Sequence, residues 1–275
     1  MKTIELEHFK IDKNQPLTVI AGPCQIEDLT HAMAIALEVR RICKDLNVQF
    51  IYKSSFDKAN RTSVSSKRGV GMEQGLEILK TVSNKLGVPT ITDIHESSQA
   101  GIVAESVSML QIPAFLCRQT DLLLAAGATG KPINVKKGQF LAPWDMKNVA
   151  EKIASTGNDN IMLCERGYSH GYNNLVVDMR SLPIMASTGY PVVFDCTHSV
   201  QQPGGLGDKS GGDRKMVPFL SRAAVATGCV SAVFIETHEN PDKAPSDGPN
   251  MIPLRDLRVL ISQLNFIHSN VRNFN

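Results

Sequence analysis

Short apolar runs recur along the chain, and polar residues that could do chemistry close most of them. The runs are TVIAGPC (18–24), FIYKSSF (50–56), PTITDIH (89–95), VSMLQIP (107–113), PINVKKG (132–138), IMLCERG (161–167), PVVFDCTH (191–198) and AVFIETH (232–238). Each is short enough for a buried strand. The stretches between them carry apolar residues at helical spacing, as at 146, 149, 150 and 153, a stripe that faces a core. Helices are expected near 30–46, 72–86, 97–105, 119–127, 145–155, 178–187, 214–227 and 253–268. Gly87 stops the second helix and Pro89 opens the next strand. Eight strand–helix units over about 250 residues predict an α/β fold, the (β/α)8 or TIM barrel, whose site lies at the C-terminal strand ends. Ahead of the first run, ELEHFKID alternates apolar and polar positions and Asn14-Gln15-Pro16 reads as a turn. Residues 1–16 are therefore expected to form a short β-hairpin capping the barrel bottom. With no linker or composition break, one domain is expected over 1–275.

Composition narrows the function classes. With 42% hydrophobic and 20% charged residues the chain has the balance of an ordinary globular protein. The net charge is only +2 and the basic residues are scattered, which argues against a nucleic-acid surface but not against a small anion held in one cleft. No apolar run approaches a membrane span, and MKTIELEHFK lacks the apolar core of a signal peptide. No membrane partner is expected, and cytoplasmic residence is. Six cysteines (24, 43, 117, 164, 196 and 229) sit mostly inside apolar runs, the pattern of reduced, buried thiols and not of a disulfide framework. Cys24 stands apart because it follows Gly22-Pro23 at a strand end.

The strand ends carry Cys24, Lys53, Asp93, Gln111, Lys136, Arg166, His198 and Glu236. In a closed barrel the seventh, eighth and first strands are neighbours, which brings His198, Glu236 and Cys24 together. Asp247, in the SDGP loop after the eighth strand, can fold back to the same place. A thiolate, an imidazole and two carboxylates suit a divalent transition metal, zinc, iron or manganese among them. His238, two residues past Glu236, shares its face and would support it from behind.

Cations gather at the same mouth. Lys53, Lys136 and Arg166 end strands, and Lys58, Arg61 and Thr62 lie just past the second. Such charges repel one another unless an anion lies between them, and Arg offers the planar fork that phosphate accepts. Two anion sites are expected: a deep one at Lys53, Lys58, Lys136 and Arg166, and a rim one at Arg61 and Thr62. Two other readings stay open. Lys53 or Lys136 pairs with Asp93 or Glu165 in a structural network, or one of these lysines forms a Schiff base with a carbonyl substrate. The two longest connections, 53–71 and 199–215, flank this mouth. The second holds five glycines, a composition suited to a lid that opens and closes, or else to a disordered surface loop.

The segments AGPC (21–24), KSSFDKANRTS (53–63), TDIHE (92–96), QIPAFLCRQTDLL (111–123), NVKKGQF (134–140), CERG (164–167), DCTHSVQQPGG (195–205), SGGDR (210–214) and ETHENPDKAPSDGP (236–249) follow one another along nearly the whole chain. Together they resemble the 3-deoxy-D-manno-octulosonate 8-phosphate synthase family. The resemblance implies condensation of phosphoenolpyruvate with D-arabinose 5-phosphate and water, releasing phosphate, on the way to lipopolysaccharide. It implies that Lys53, Ser55, Lys58, Gln111, the Ala114 N–H, Lys136 and Arg166 hold phosphoenolpyruvate. Asn60, Arg61 and Thr62 would reach the pentose phosphate, with Arg61 supplied by a neighbouring subunit of a homotetramer. Thr62 replaces the family's usual Ser and keeps its hydroxyl. Asp93 would orient the substrates or the reacting water, and Lys136 and His198 would join it, with Cys24, in catalysis. Cys, where metal-independent members carry Asn, implies the metal-dependent class, with Cys24, His198, Glu236 and Asp247 as ligands. The related heptulosonate synthases, which take erythrose 4-phosphate, show KPRT where this chain has KANRT. A sugar-phosphate sensor without turnover is the non-enzyme alternative, and it has little use for a metal beside two anion sites.

Overall fold

A computed structural model describes residues 1–205, 207 and 210–271, so part of the glycine-rich connection expected as a lid lies outside the described residues. Eight parallel strands, β1 to β8, span Thr18–Gly22, Gln49–Lys53, Thr90–Asp93, Met109–Ile112, Ile133–Lys136, Ile161–Glu165, Val192–Asp195 and Val230–His238. Each pairs with the next, and β8 returns to β1. The sheet is closed and has no free edge in the barrel. The helices α1 to α8 cover Leu29–Asp45, Met72–Leu86, Gln99–Ala104, Thr120–Ala128, Met146–Ala154, Ser181–Ala186, Val217–Ala226 and Leu254–Val271. The expected (β/α)8 barrel is thus formed, with all sixteen elements in their expected order.

The boundaries follow local chemistry. The Asp28 carboxylate accepts the His31 N–H at 2.8 Å and starts α1, as an N-cap should. Helix α2 stops at Gly87, whose φ of 60° is left-handed. The buried positions Ala32, Ile35, Ala36, Val39 and Ile42 of α1 form one stripe against the sheet.

Alternation along the strands divides the core in two. Val19, Ala21, Phe50, Tyr52, Leu110, Val135, Leu163 and Phe194 face the helices. Ile20, Ile51, Ile91, Met109, Met162, Val193, Ala232 and Phe234 fill the barrel interior. The expected hairpin pairs Ile4–Glu5 with Lys10–Ile11. Its Ile4 and Ile11 are fully buried and belong to the interior cluster, so the hairpin plugs the barrel bottom with hydrocarbon. At the other end the inward positions become polar. None of the described helices is long and apolar enough to cross a membrane.

Candidate active site

Each inward-facing strand ends in a group that can bond or carry charge. Two residues above Ile51 stands Lys53, above Ile91 Asp93, above Met109 Gln111, above Val193 Asp195, and above Phe234 Glu236. Register places Asp93 beside Gln111 and Gln111 beside Asn134. A bonded chain results. Asn134 Nδ2 donates to Gln111 Oε1 at 2.9 Å, Gln111 Nε2 donates to Asp93 Oδ1 at 2.6 Å, and the Ser55 hydroxyl donates to Asp93 Oδ2. Lys53 Nζ lies 3.8 Å from Asp93 and 3.2 Å from Glu236. On the far side Lys136 Nζ lies 2.6 Å from Asp195.

All these groups are buried, and charge balance keeps them ionised. Burial alone would push the Asp93 carboxyl up, but Lys53 and Lys58 together hold it far below the usual carboxylate range. Burial opposes ionisation of Asp195 too, and His198 and Lys136 overcome it. Burial works against the Lys58 ammonium, and the Glu236 and Asp93 carboxylates hold it charged. Lys53 and Lys136 rest on the Phe234 ring, 5.3 and 3.7 Å from its centre, so the aromatic face attracts both cations from below. Of the pairings left open, Lys53 with Asp93 is present, with Glu236 as a second partner, and Lys136 pairs with Asp195 instead. Glu165 instead serves Lys137, at 3.5 Å, on the outward face.

Arg166 differs from the other cations. Its Nη2 donates to Gln201 Oε1 at 2.8 Å, and its Nη1 is buried without a hydrogen-bond partner. Burial lowers its affinity for a proton despite nearby carboxylates. A buried guanidinium edge without an acceptor is costly and calls for an anion. It lines a cleft of about 640 Å³ together with Lys53, Lys58, Lys136 and the Ala114 turn.

Cys24, Glu236 and Asp247 bring one thiol and two carboxylate donors within 4.8 Å of one another. Cys24 Sγ lies 3.1 Å from Asp247 Oδ2 and 3.2 Å from Ser246 Oγ. Burial and Glu236 push its thiol well above the usual value. Gly22 makes the approach possible, since a Cβ there would collide with the Lys53 carbonyl. His198 stands beside this group and not within it: Nδ1 lies 2.8 Å from Asp195 Oδ2, and Nε2 lies 3.6 Å from Glu236 Oε2. A proton on Nδ1, donated to Asp195, leaves Nε2 with a lone pair facing a buried carboxylate oxygen that has no hydrogen-bond partner. Carboxylate-backed imidazole is the usual support of a metal ligand. The donor set fits a divalent cation.

His238 does not support Glu236 from behind. Its Nε2 lies 2.8 Å from Glu27 Oε1, while its Nδ1 accepts the Asn240 N–H at 2.9 Å. Glu27, His31 and His238 also converge, but the Asn240 N–H occupies the nitrogen that would carry the proton if His238 Nε2 bound a metal. His31 turns its Nε2 to Glu239 Oε2 at 2.9 Å, and its Nδ1 is buried without a hydrogen-bond partner.

The rim comes from the connection after β2. Asn60, Arg61 and Thr62 line the cleft. Arg61 donates to Ser246 Oγ at 2.7 Å and to the Pro245 carbonyl at 2.8 Å, so its guanidinium lies over its own chain's mouth. Ser55 departs from expectation. It is fully buried, bridged to Gln25 just past β2, with its hydroxyl given to Asp93. Asp195, Asn134 and Gln201 were absent from the expected site. Parity from Val193 points to Asp195, and parity below Lys136 points to Asn134; nothing local marks Gln201.

A closed parallel barrel with an anion-ready mouth beside a thiol–carboxylate cluster is thus defined. A family model described as the DAHP synthetase I family matches residues 2–271, and the chain belongs to that family. A 2-dehydro-3-deoxyphosphooctonate aldolase of Granulibacter bethesdensis is 60% identical over 263 residues, covering 96% of this chain and 93% of the relative. Proteins of the same name from Rhizobium meliloti (60% over 252 residues, 92% and 90% covered) and Cyanothece sp. (61% over 256, 93% of each) are equally similar.

Proposed function

We propose that this chain is an enzyme that condenses phosphoenolpyruvate with D-arabinose 5-phosphate and water, giving 3-deoxy-D-manno-octulosonate 8-phosphate and phosphate for lipopolysaccharide. The observation that carries the reading is the buried, unpartnered Arg166 Nη1 beside a cleft walled by buried Lys53 and Lys136 and half-buried Lys58. The shared name of relatives about 60% identical favours the octonate product over the heptulosonate alternative.

In this reading the deep cations hold phosphoenolpyruvate, assisted by Gln111 and the Ala114 N–H, and Asn60, Arg61 and Thr62 hold the pentose phosphate. Ser55 acts on phosphoenolpyruvate only through Asp93. The two phosphates serve as handles that set the reacting carbons side by side. C3 of the enol phosphate attacks the aldehyde carbon, whose oxygen takes a proton. Water adds at C2 and loses a proton. The C2 hydroxyl of the resulting tetrahedral centre loses its proton and becomes the keto group as the C–O bond breaks and phosphate departs with the bonding pair. Lys136, fixed by Asp195, and Arg166 stabilise that charge. Asp93, locked by Ser55 and Gln111, orients substrate or water. The connection 199–215 closes over the pair and excludes bulk water. Cys24, His198, Glu236 and Asp247 would hold a divalent cation, zinc, iron or manganese, which supplies Lewis acidity when bound. Phe115, Phe140 and Trp144, exposed on the connections after β4 and β5, offer apolar surface for a homotetramer, and the enzyme would work in the cytoplasm.

The test is phosphate release from phosphoenolpyruvate with arabinose 5-phosphate or erythrose 4-phosphate, each with and without chelator. Release with the pentose phosphate alone, lost in chelator and restored by a divalent metal, is expected. Cys24→Ala should abolish it beyond rescue by Mn²⁺, Zn²⁺ or Fe²⁺. Release with the tetrose phosphate would overturn the substrate, and full activity of Cys24→Ala in chelator would overturn the metal. Borohydride trapping of a lysine adduct would instead indicate a Schiff base.

A further inference from the structure

Gln201 lies where the anion-binding and metal-binding halves of the mouth meet. Its Oε1 accepts from Arg166 Nη2 at 2.8 Å and its Nε2 donates to Asp247 Oδ1 at 2.8 Å. Only one orientation of the amide satisfies both neighbours, since a flip would set NH₂ against the guanidinium and C=O against the carboxylate. The bond to Oδ1 leaves Asp247 Oδ2 facing Cys24. Asp247 itself has a left-handed φ of 51°, a region aspartate enters more readily than most residues, and its carboxylate oxygens are bonded by Gln201, Ser246 and Cys24. Its carboxylate therefore takes its orientation from side-chain partners such as Gln201.

The same residue opens the connection 199–215 proposed above to close as a lid. Gln201–Gln202 pairs antiparallel with Gly211–Gly212, Gln201 facing Gly212. A Cβ on Gly212 would overlap the Asn250 side chain, so this arm lies directly on the loop that carries Asp247. Just beyond it, Arg214 donates to the Gly248 carbonyl at 2.8 Å and pairs with Asp242 at 2.6 Å. Both arms of the lid base are thus tied to the Asp247 loop, one through a side-chain amide and the other through a guanidinium.

Resting on the function proposed above, we infer that Gln201 is a positioning residue that couples the phosphate on Arg166 to the metal-ligand orientation of Asp247. An anion on Nη1 fixes the guanidinium, the guanidinium fixes the amide, and the amide fixes Asp247. Coupling of this kind is reciprocal: phosphoenolpyruvate tightens the metal by the factor with which the metal tightens phosphoenolpyruvate.

The experiment is Mn²⁺ binding to the whole protein, read from free Mn²⁺ by electron paramagnetic resonance, with and without saturating phosphoenolpyruvate and with no aldose phosphate. In the wild type phosphoenolpyruvate should tighten Mn²⁺ about tenfold, within the usual range of such couplings. Gln201→Met removes both amide bonds; Gln201→Glu keeps the acceptor for Arg166 and turns the Asp247 contact repulsive. In both, the factor should fall at least about threefold; direct attraction between the dication and the phosphate leaves a remainder. A merely structural Gln201 would shift both Mn²⁺ affinities together and leave their ratio. An unchanged ratio in both variants overturns the inference, as does a wild-type ratio of one. Wild-type protein that binds no Mn²⁺ or other divalent ion overturns it together with the proposed metal site. Phosphate release by that same protein would show that the proposed condensation stands apart.

Discussion

The two ends of the barrel are lined by the same strands and are chemically opposite. At the bottom, Ile4 and Ile11 of the hairpin meet Ile20, Ile51 and Met162 in a dry cluster. At the mouth, two residues further along, Lys53, Asp93, Asp195 and Glu236 stand almost as deeply buried. Hydrocarbon at the bottom loses nothing by leaving water and contributes to stability. Charges at the mouth lose hydration and recover it only through one another. Stability is thus concentrated below and reactivity above, and a single alternation of side chains serves both.

The mouth is the place to break this contrast with the largest effect. Arg166→Met keeps most of the side-chain volume and removes the free guanidinium edge. Phosphate release should fall about 10³-fold, or about 4 kcal/mol in transition-state stabilisation, with a thermal midpoint unchanged or raised. A midpoint lowered in step with activity would mean that the mouth also carries stability. Ile11→Ala is the converse. It opens a cavity in the plug and should cost about 3 kcal/mol in denaturant unfolding, while kcat/KM stays near the wild-type value. A large loss of kcat/KM at temperatures where the variant remains folded would show that the two ends are mechanically linked.

Phe234 sharpens the comparison because it belongs to both halves. It sits in the interior cluster and forms the floor under Lys53 and Lys136. Phe234→Leu should cost about 1–2 kcal/mol of stability through lost packing and lost attraction to the two cations. Activity should fall about tenfold, because Lys136 loses the surface that fixes it. Stability loss alone would assign Phe234 to the bottom half.

How far the sequence already shows this arrangement depends on the distance over which each feature is specified. The strands and helices were legible because apolar runs and helical stripes are local, and α2 ends at Gly87 as its glycine dictates. Cys24 and Glu236 could be grouped because barrel closure makes their strands neighbours, whereas Asp247 depends on its loop folding back and His198 stands beside the group. Asp195 was hidden by its neighbour: in DCTH the histidine attracts attention, although of the two the aspartate shares parity with Val193. Ser55 was misplaced for the opposite reason, since a hydroxyl in a cationic loop looks available until burial commits it to Asp93. His238 has the parity of Glu236 but lies beyond the barrel rim, where the backbone of Asn240 and the side chain of Glu27 take its ring. Gln201 and the reach of Arg61 depend on how two long connections fold over one mouth, and no local pattern encodes that.

The bottom end offers the smallest test. Lys2 Nζ lies 2.6 Å from Asp159 and 3.0 Å from Tyr190 Oη, and its chain N–H bonds the Gly189 carbonyl at 2.6 Å. It clips the hairpin to the connections before β6 and β7. Its ammonium is raised in pKa: slight burial works against the charge, but hydrogen bonds to Asp159 and Tyr190 outweigh it. The side chains of the pair remain 42% and 62% exposed, so solvent screens most of this gain. Lys2→Ala should therefore cost less than about 1 kcal/mol in denaturant unfolding, and less still at high salt. Its backbone bond survives the substitution, so the plug should stay seated and kcat/KM unchanged. A loss near that of Ile11→Ala would place the strength of the bottom end in this surface clip and not in the buried isoleucines, and the division between a dry end and a charged end would have to be redrawn.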